Sequence, residues 1–65
     1  NINRNILIAD MSAFATHIKP GGVLILSGFY ESDVTMLTRS ATENGLVLHD
    51  VITDEEWASA SFRMK

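Results

Sequence analysis

Sixty-five residues, 46% apolar and 20% charged, suffice for one small domain and not for two. The lack of cysteine excludes disulfide staples and thiolate metal sites, and a net charge of −3 from five basic and eight acidic residues argues against a phosphate-binding surface, hence against a direct nucleic-acid partner. Aliphatic runs such as Val23 to Leu26 fall far short of the roughly 20 apolar residues that cross a bilayer, so no membrane partner is expected, and a chain that starts at Asn1 without an initiator methionine reads as a piece of something longer.

Leu7, Met11, Phe14 and Ile18, widened by Ile8 and Ala15, recur at helical spacing and predict an amphipathic helix over 5 to 18. Pro20 cannot continue it and biases Lys19 away from the helical region, so the helix should end near Ile18, with Gly21-Gly22 as the turn. Val23 to Leu26, bounded by Gly22 and Ser27-Gly28, predicts a strand apolar on both faces and buried from both sides, as in a parallel sheet. Ser32 as N-cap and Asp33 near the positive end of the dipole open a second helix over about 33 to 44. Val34, Leu37 and Ala41, with Met36 beside them, form its buried stripe, Arg39, Thr42 and Glu43 point elsewhere, and Asn44-Gly45 supplies a left-handed stop.

A second strand fits 46 to 53, running through His49, Asp50, Val51 and Ile52. Asp54-Glu55-Glu56 is a polar turn of hairpin length, and Trp57 to Met64 returns with Ala58, Ala60, Phe62 and Met64 on one face and Ser59, Ser61 and Arg63 on the other. The last two strands should pair antiparallel. A strand, helix, strand order implies a right-handed crossover and a parallel pair, so the fold class is α/β, a sheet with helices on its faces. No repeat, low-complexity tract or linker divides the chain, and 1 to 65 reads as one unit.

Little chemistry is visible in the residues themselves. His17 and His49 stand 32 positions apart without a carboxylate at ligand spacing, so no metal site is expected, and His17 suits a helix C-terminus, where a cation is mildly favoured. The carboxylates at 54 to 56 read as a solvated turn rather than an acid–base pair. Ser27, Ser32, Ser59 and Ser61 lack the Gly-x-Ser-x-Gly context of a nucleophile, and Gly21, Gly22 and Gly28 do not form a phosphate-cradling loop. The leader Asn1-Ile2-Asn3-Arg4-Asn5 has two readings: helix capping by Asn3 or Asn5, or carboxamides that donate and accept near a strand end.

The opening Asn1 to Leu7, the Lys19-Pro20-Gly21-Gly22 turn, the Leu24 to Phe29 segment with its Ser27-Gly28, and the closing Glu55-Glu56-Trp57 together resemble the C-terminal end of the ribosomal protein L11 methyltransferase family, of the class I S-adenosylmethionine-dependent methyltransferases. The resemblance runs over essentially the whole chain. It implies the last part of a Rossmann-like catalytic domain: a three-stranded mixed sheet with the last strand antiparallel in the middle, Val23 to Leu26 beside 57 to 64, and 46 to 53 outside. It also implies a cytoplasmic protein methyltransferase that uses S-adenosylmethionine to methylate amino groups of a large-subunit ribosomal protein.

By the same resemblance Asn1 is the catalytic carboxamide and lies against the cofactor. Ile2 continues that cofactor-binding wall, and Ser27 and Gly28 lie on the rim of the substrate pocket. Asn3 departs from the apolar or small residue common at its position, which leaves its role open. The family's glycine-rich cofactor loop and following acidic residue have no counterpart here, so the isolated chain should be inactive. Other readings are a small α/β interaction module and a class I methyltransferase with a small-molecule or nucleic-acid substrate. A sheet edge without its neighbour should make the isolated chain self-associate.

Overall fold

A computed structural model describes residues 4–65, in the order α1 (Arg4–Thr16), β1 (Val23–Tyr30), one 3-10 turn (Glu31–Asp33), α2 (Val34–Glu43), β2 (Leu46–Asp54) and β3 (Trp57–Met64). The spacing of α1 does what amphipathicity requires: Leu7 and Met11 are buried, and Ile8, Phe14, Ala15 and Ile18 pack against the same core. The helix stops at Thr16, two residues short of the expected end. The amides of His17 and Ile18 donate to the carbonyls of Phe14 and Ala15 at 3.1 and 3.2 Å, a tightened last turn. Lys19, next to Pro20, cannot extend it.

Thr16 Oγ1 donates to the Ala13 carbonyl at 2.8 Å, and His17 Nδ1, as the protonated nitrogen, donates to the same oxygen at 2.8 Å. His17 is therefore a helix-end residue. Asn5 lies inside α1 and is not its cap, while Asn3 lies outside the described residues. The turn that follows is tied to the far end of the chain, with Gly21 N donating to Met64 O and Met64 N to Gly22 O, both at 2.8 Å. A β-carbon on Gly22 would come within 2.7 Å of Ile18 Cγ2 and 2.9 Å of the Lys19 carbonyl, so this close approach admits glycine alone.

The second helix corrects one expectation. Ser32 does not cap it: a 3-10 turn precedes α2, and Asp33, the residue at the cap position, is itself in a helical conformation and makes no side-chain cap bond. The Asp33 carboxylate instead accepts from Arg4 Nη1 at 3.1 Å, joining the start of α1 to the start of α2. Its charge still lies where the α2 dipole favours it. Leu37 and Ala41 are buried, Val34 packs beside them and Met36 faces out. The helix ends at Glu43 with Asn44 as its C-cap, and Gly45 takes the left-handed conformation at φ +85°.

The strands form one sheet in the order β1-β3-β2. Both ladders are antiparallel, so the sheet is not mixed. β1 and β2 do run the same way, as a strand, helix, strand unit requires, but β3 separates them and they share no hydrogen bond. Asp54 pairs with Trp57, which shortens the hairpin loop to Glu55-Glu56, with Glu55 at φ +57° as tight two-residue turns demand.

Burial on both faces of β1 is also overturned. Leu26 and Phe29 are buried, but Val23 and Ile25 are 52% and 68% exposed. The reason is that the core holds residues of both helices and of one sheet face only: Leu7 and Met11 of α1, Leu37 and Ala41 of α2, Leu26 and Phe29 of β1, Leu46 of β2, and Ala58, Ala60 and Phe62 of β3. The opposite face, with Val23, Ile25, Val47 and Ile52, has no layer over it among the described residues.

Phe62, fully buried on the central strand, should be the most costly residue to truncate. Phe62→Ala is expected to destabilise by about 3–5 kcal/mol, measured by denaturant unfolding. The free edge of β1 and the bare apolar face together predict concentration-dependent association of the isolated chain. Sedimentation velocity should detect it, and a monomer at every concentration would refute it.

Candidate functional site

Of the residues with an expected role, Ser27 and Gly28 both lie on the carboxyl half of β1, exposed. Ser27 is paired with Ser59 and Phe29 with Ala58, so Gly28 is the extra residue of a β-bulge. Its φ is +84°, and a β-carbon would meet nothing within 4 Å. Backbone conformation, not crowding, calls for glycine here. The bulge also reverses the alternation of the strand. Leu24 and Leu26 face the core before it and Phe29 after it, which turns Tyr30 to the open face.

Tyr30 stands directly opposite Trp57, and the two rings stack with centroids 4.7 Å apart and planes inclined by 18°. Both remain about half exposed. The amide of Glu31 donates to the Glu56 carbonyl at 2.8 Å and fastens the end of β1 to the hairpin loop. Glu31 and Glu56 adjoin the two aromatic residues in the chain and Asp54 stands opposite Trp57 on β2, all three exposed, as is Glu55. Aromatic faces with a carboxylate rim form a surface suited to an amine or ammonium group, through the ring quadrupole and the nearby negative charge.

This aromatic pair is not legible in the sequence. Tyr30 and Trp57 are 27 positions apart, and only the register of β1 against β3 brings them together. The one local signal is an aromatic residue at the end of a strand and another just after a turn.

The Arg4–Asp33 ion pair holds the start of α1 at this same end of the sheet, because Asp33 follows directly on the β1 carboxyl end. Asn1 and Ile2, the expected catalytic and cofactor-binding residues, lie outside the described residues. Ser27, Gly28 and the aromatic pair are exposed. No group of three or more His, Cys, Asp or Glu able to hold a metal ion occurs among the described residues.

Residues 1–65 match the family model described as ribosomal protein L11 methyltransferase (PrmA). The chain is 47% identical over 62 residues to the ribosomal protein L11 methyltransferase of Porphyromonas gingivalis, covering 95% of this chain and 21% of that relative. It is 40% identical over 62 residues to the protein of that name from Bacteroides thetaiotaomicron, covering 95% and 22%. To that from Phocaeicola vulgatus it is 37% identical over 65 residues, covering 100% and 23%. The chain thus spans about a fifth of the length of the curated relatives it matches.

Gly28→Ala would force an L-residue into the left-handed region. A loss of about 1–2 kcal/mol is expected from denaturant unfolding, and Gly28→Asn should lose less, since asparagine tolerates that conformation better.

Proposed function

Because the chain belongs to the ribosomal protein L11 methyltransferase family, we propose that residues 1–65 are a single partial domain, the C-terminal part of a Rossmann-like class I methyltransferase. The complete protein transfers methyl groups from S-adenosylmethionine to amino groups of the large-subunit ribosomal protein L11, in the cytoplasm where ribosomal proteins are made. No helix among the described residues is long and apolar enough to cross a membrane.

One observation carries the site. The ion pair of Arg4 with Asp33 ties the start of α1 to the segment that follows β1, whose register against β3 sets Ser27-Gly28 and the stacked Tyr30 and Trp57 along the carboxyl half of that strand. Ligands of open α/β sheets bind outside the carboxyl ends of strands, and this is the carboxyl end of β1.

On this reading Asn1 offers a carboxamide oxygen to the target amine. An uncharged acceptor orients the nitrogen lone pair without holding a proton on it, which a carboxylate would do. Ile2 continues the wall against the cofactor. Ser27 and Gly28 form the rim over which the target side chain enters, with Tyr30 and Trp57 as its aromatic side. S-adenosylmethionine, when bound, supplies the electrophilic methyl. The cofactor is held chiefly by portions of the complete protein beyond this chain, which has no glycine-rich loop. The free edge of β1 and its exposed aliphatic side chains, Val23 and Ile25, are covered by those same portions.

In the complete protein, Asn1→Ala is expected to lower turnover by about 10²-fold while leaving cofactor affinity within a few-fold, because orientation acts on the reacting amine. Methylation assays with calorimetric cofactor titration check this, and an unchanged rate would remove Asn1 from the site. The isolated 65 residues should give no measurable heat with S-adenosylmethionine. Micromolar affinity there would contradict the division of labour proposed.

A further inference from the structure

At the end of the sheet remote from Ser27 and Tyr30, the side chains of Val47, Leu48, His49, Arg63, Met64 and Lys65 line a hollow of 260 Å³. Its charge is opposite to that of the chain. Arg63 and Lys65 are two of the five basic residues, and His49 is one of two histidines, in a protein of net charge −3. None of the six lining residues is acidic. Among the described residues the only ion pair joins Arg4 to Asp33, which leaves Arg63 and Lys65 without a carboxylate partner. The nearby Asp50 is turned to its own strand, accepting from the Val51 amide at 2.9 Å.

The hollow is also built on fixed backbone. Met64 N donates to Gly22 O at 2.8 Å and Lys65 N to Gly45 O at 3.1 Å, so the end of β3 is held from two sides. His49 is the extra residue of the second bulge, between Leu48 and Asp50, and is released from the ladder there. Bulges commonly re-aim a side chain in this way. A guanidinium, an ammonium and an imidazole match a doubly charged oxyanion, since a guanidinium can bind two oxygens and an ammonium acts as a point charge. Val47, Leu48 and Met64 add apolar wall for a short stem. At 260 Å³ the space lies below the roughly 300–1,000 Å³ of sites for drug-sized ligands, so the occupant is small.

We infer that this hollow binds a small phosphate monoester, with Arg63, Lys65 and His49 on the phosphate and Val47, Leu48 and Met64 around its apolar stem. The site is separate from the aromatic rim and does not depend on methyl transfer.

The test is a titration of the complete protein with inorganic phosphate, phenyl phosphate and, at matched ionic strength, sodium chloride, followed by NMR of the His49 imidazole and the Met64 methyl. Saturable shifts are expected with both phosphates, at lower concentration for phenyl phosphate. Sodium chloride should give only a shallow drift. Arg63→Gln should weaken phosphate binding by about tenfold, the loss of one charge-assisted contact, and Arg39→Gln, an exposed cation on α2, should not change it. If Arg63→Gln fails to fold, Lys65→Gln should reproduce the weakening. Shifts that follow ionic strength alone, or equal affinity in the foldable variant, would overturn the site, and methylation assays on the same samples would be unaffected by that outcome.

Discussion

β3 is hydrogen-bonded along both edges, and each other part of the fold takes its position from that strand. Among the described residues β1 and β2 pair only with it, so neither has a partner there until it is in place. The loops are fastened to it as well: the glycine turn after α1 to Met64, the carbonyl after α2 to Lys65, and the 3-10 turn to Glu56 at the other end. Its inward side chains, Ala58, Ala60 and Phe62, alternate strictly with outward Trp57, Ser59, Ser61 and Arg63, and all three inward residues join the core that both helices share. The central strand is the last element in the chain. The β1–β3 ladder therefore rests on contacts distant in sequence, which are slow to form, whereas β2 and β3 are joined locally by the two-residue hairpin.

The two flanking strands each carry one bulge against this regular centre, at Gly28 and at His49. Each bulge reverses the in–out phase of its strand. Without the first, Phe29 would leave the core and Tyr30 would enter it. The cost is a strained position filled by glycine in β1 and an unpaired residue in β2. The consequence is one dry face shared by both helices and one open face with aliphatic side chains at one end and stacked aromatics at the other. A protein domain does not ordinarily leave aliphatic side chains such as Val23 and Ile25 bare together, and the relatives, of which the chain spans about a fifth, are long enough to cover them.

The ends of the sheet differ in chemistry. One carries the exposed acidic hairpin next to Trp57, with its stacked partner Tyr30, and holds the start of α1 by the Arg4–Asp33 pair. The other gathers Arg63, Lys65 and His49 around a small hollow. This separation follows from strand direction: β3 begins beside the acidic hairpin and finishes in two basic residues, and its central position carries that polarity across the sheet. An acidic composition overall therefore does not describe either end.

Features decided by neighbours along the chain are legible in the residues alone. The helical stripe from Leu7 to Ile18, the stop before Pro20, the left-handed Gly45 and the alternation along β3 each depend on residues within a few positions of one another, where side-chain period and backbone preference act directly. Family membership is legible for a related reason, since Pro20-Gly21-Gly22, Ser27-Gly28 and Glu55-Glu56-Trp57 are local motifs. What only the tertiary structure decided concerns pairs remote along the chain. A continuous aliphatic run does not say whether a second layer lies over it, so the bare face of β1 has no signature in the residues. Ser32 has the chemistry of a cap, but Arg4 draws the Asp33 carboxylate, and the helix entry is a 3-10 turn. The stacking of Tyr30 on Trp57 exists only in a register set by a bulge, and a one-residue slip would turn one ring to the opposite face.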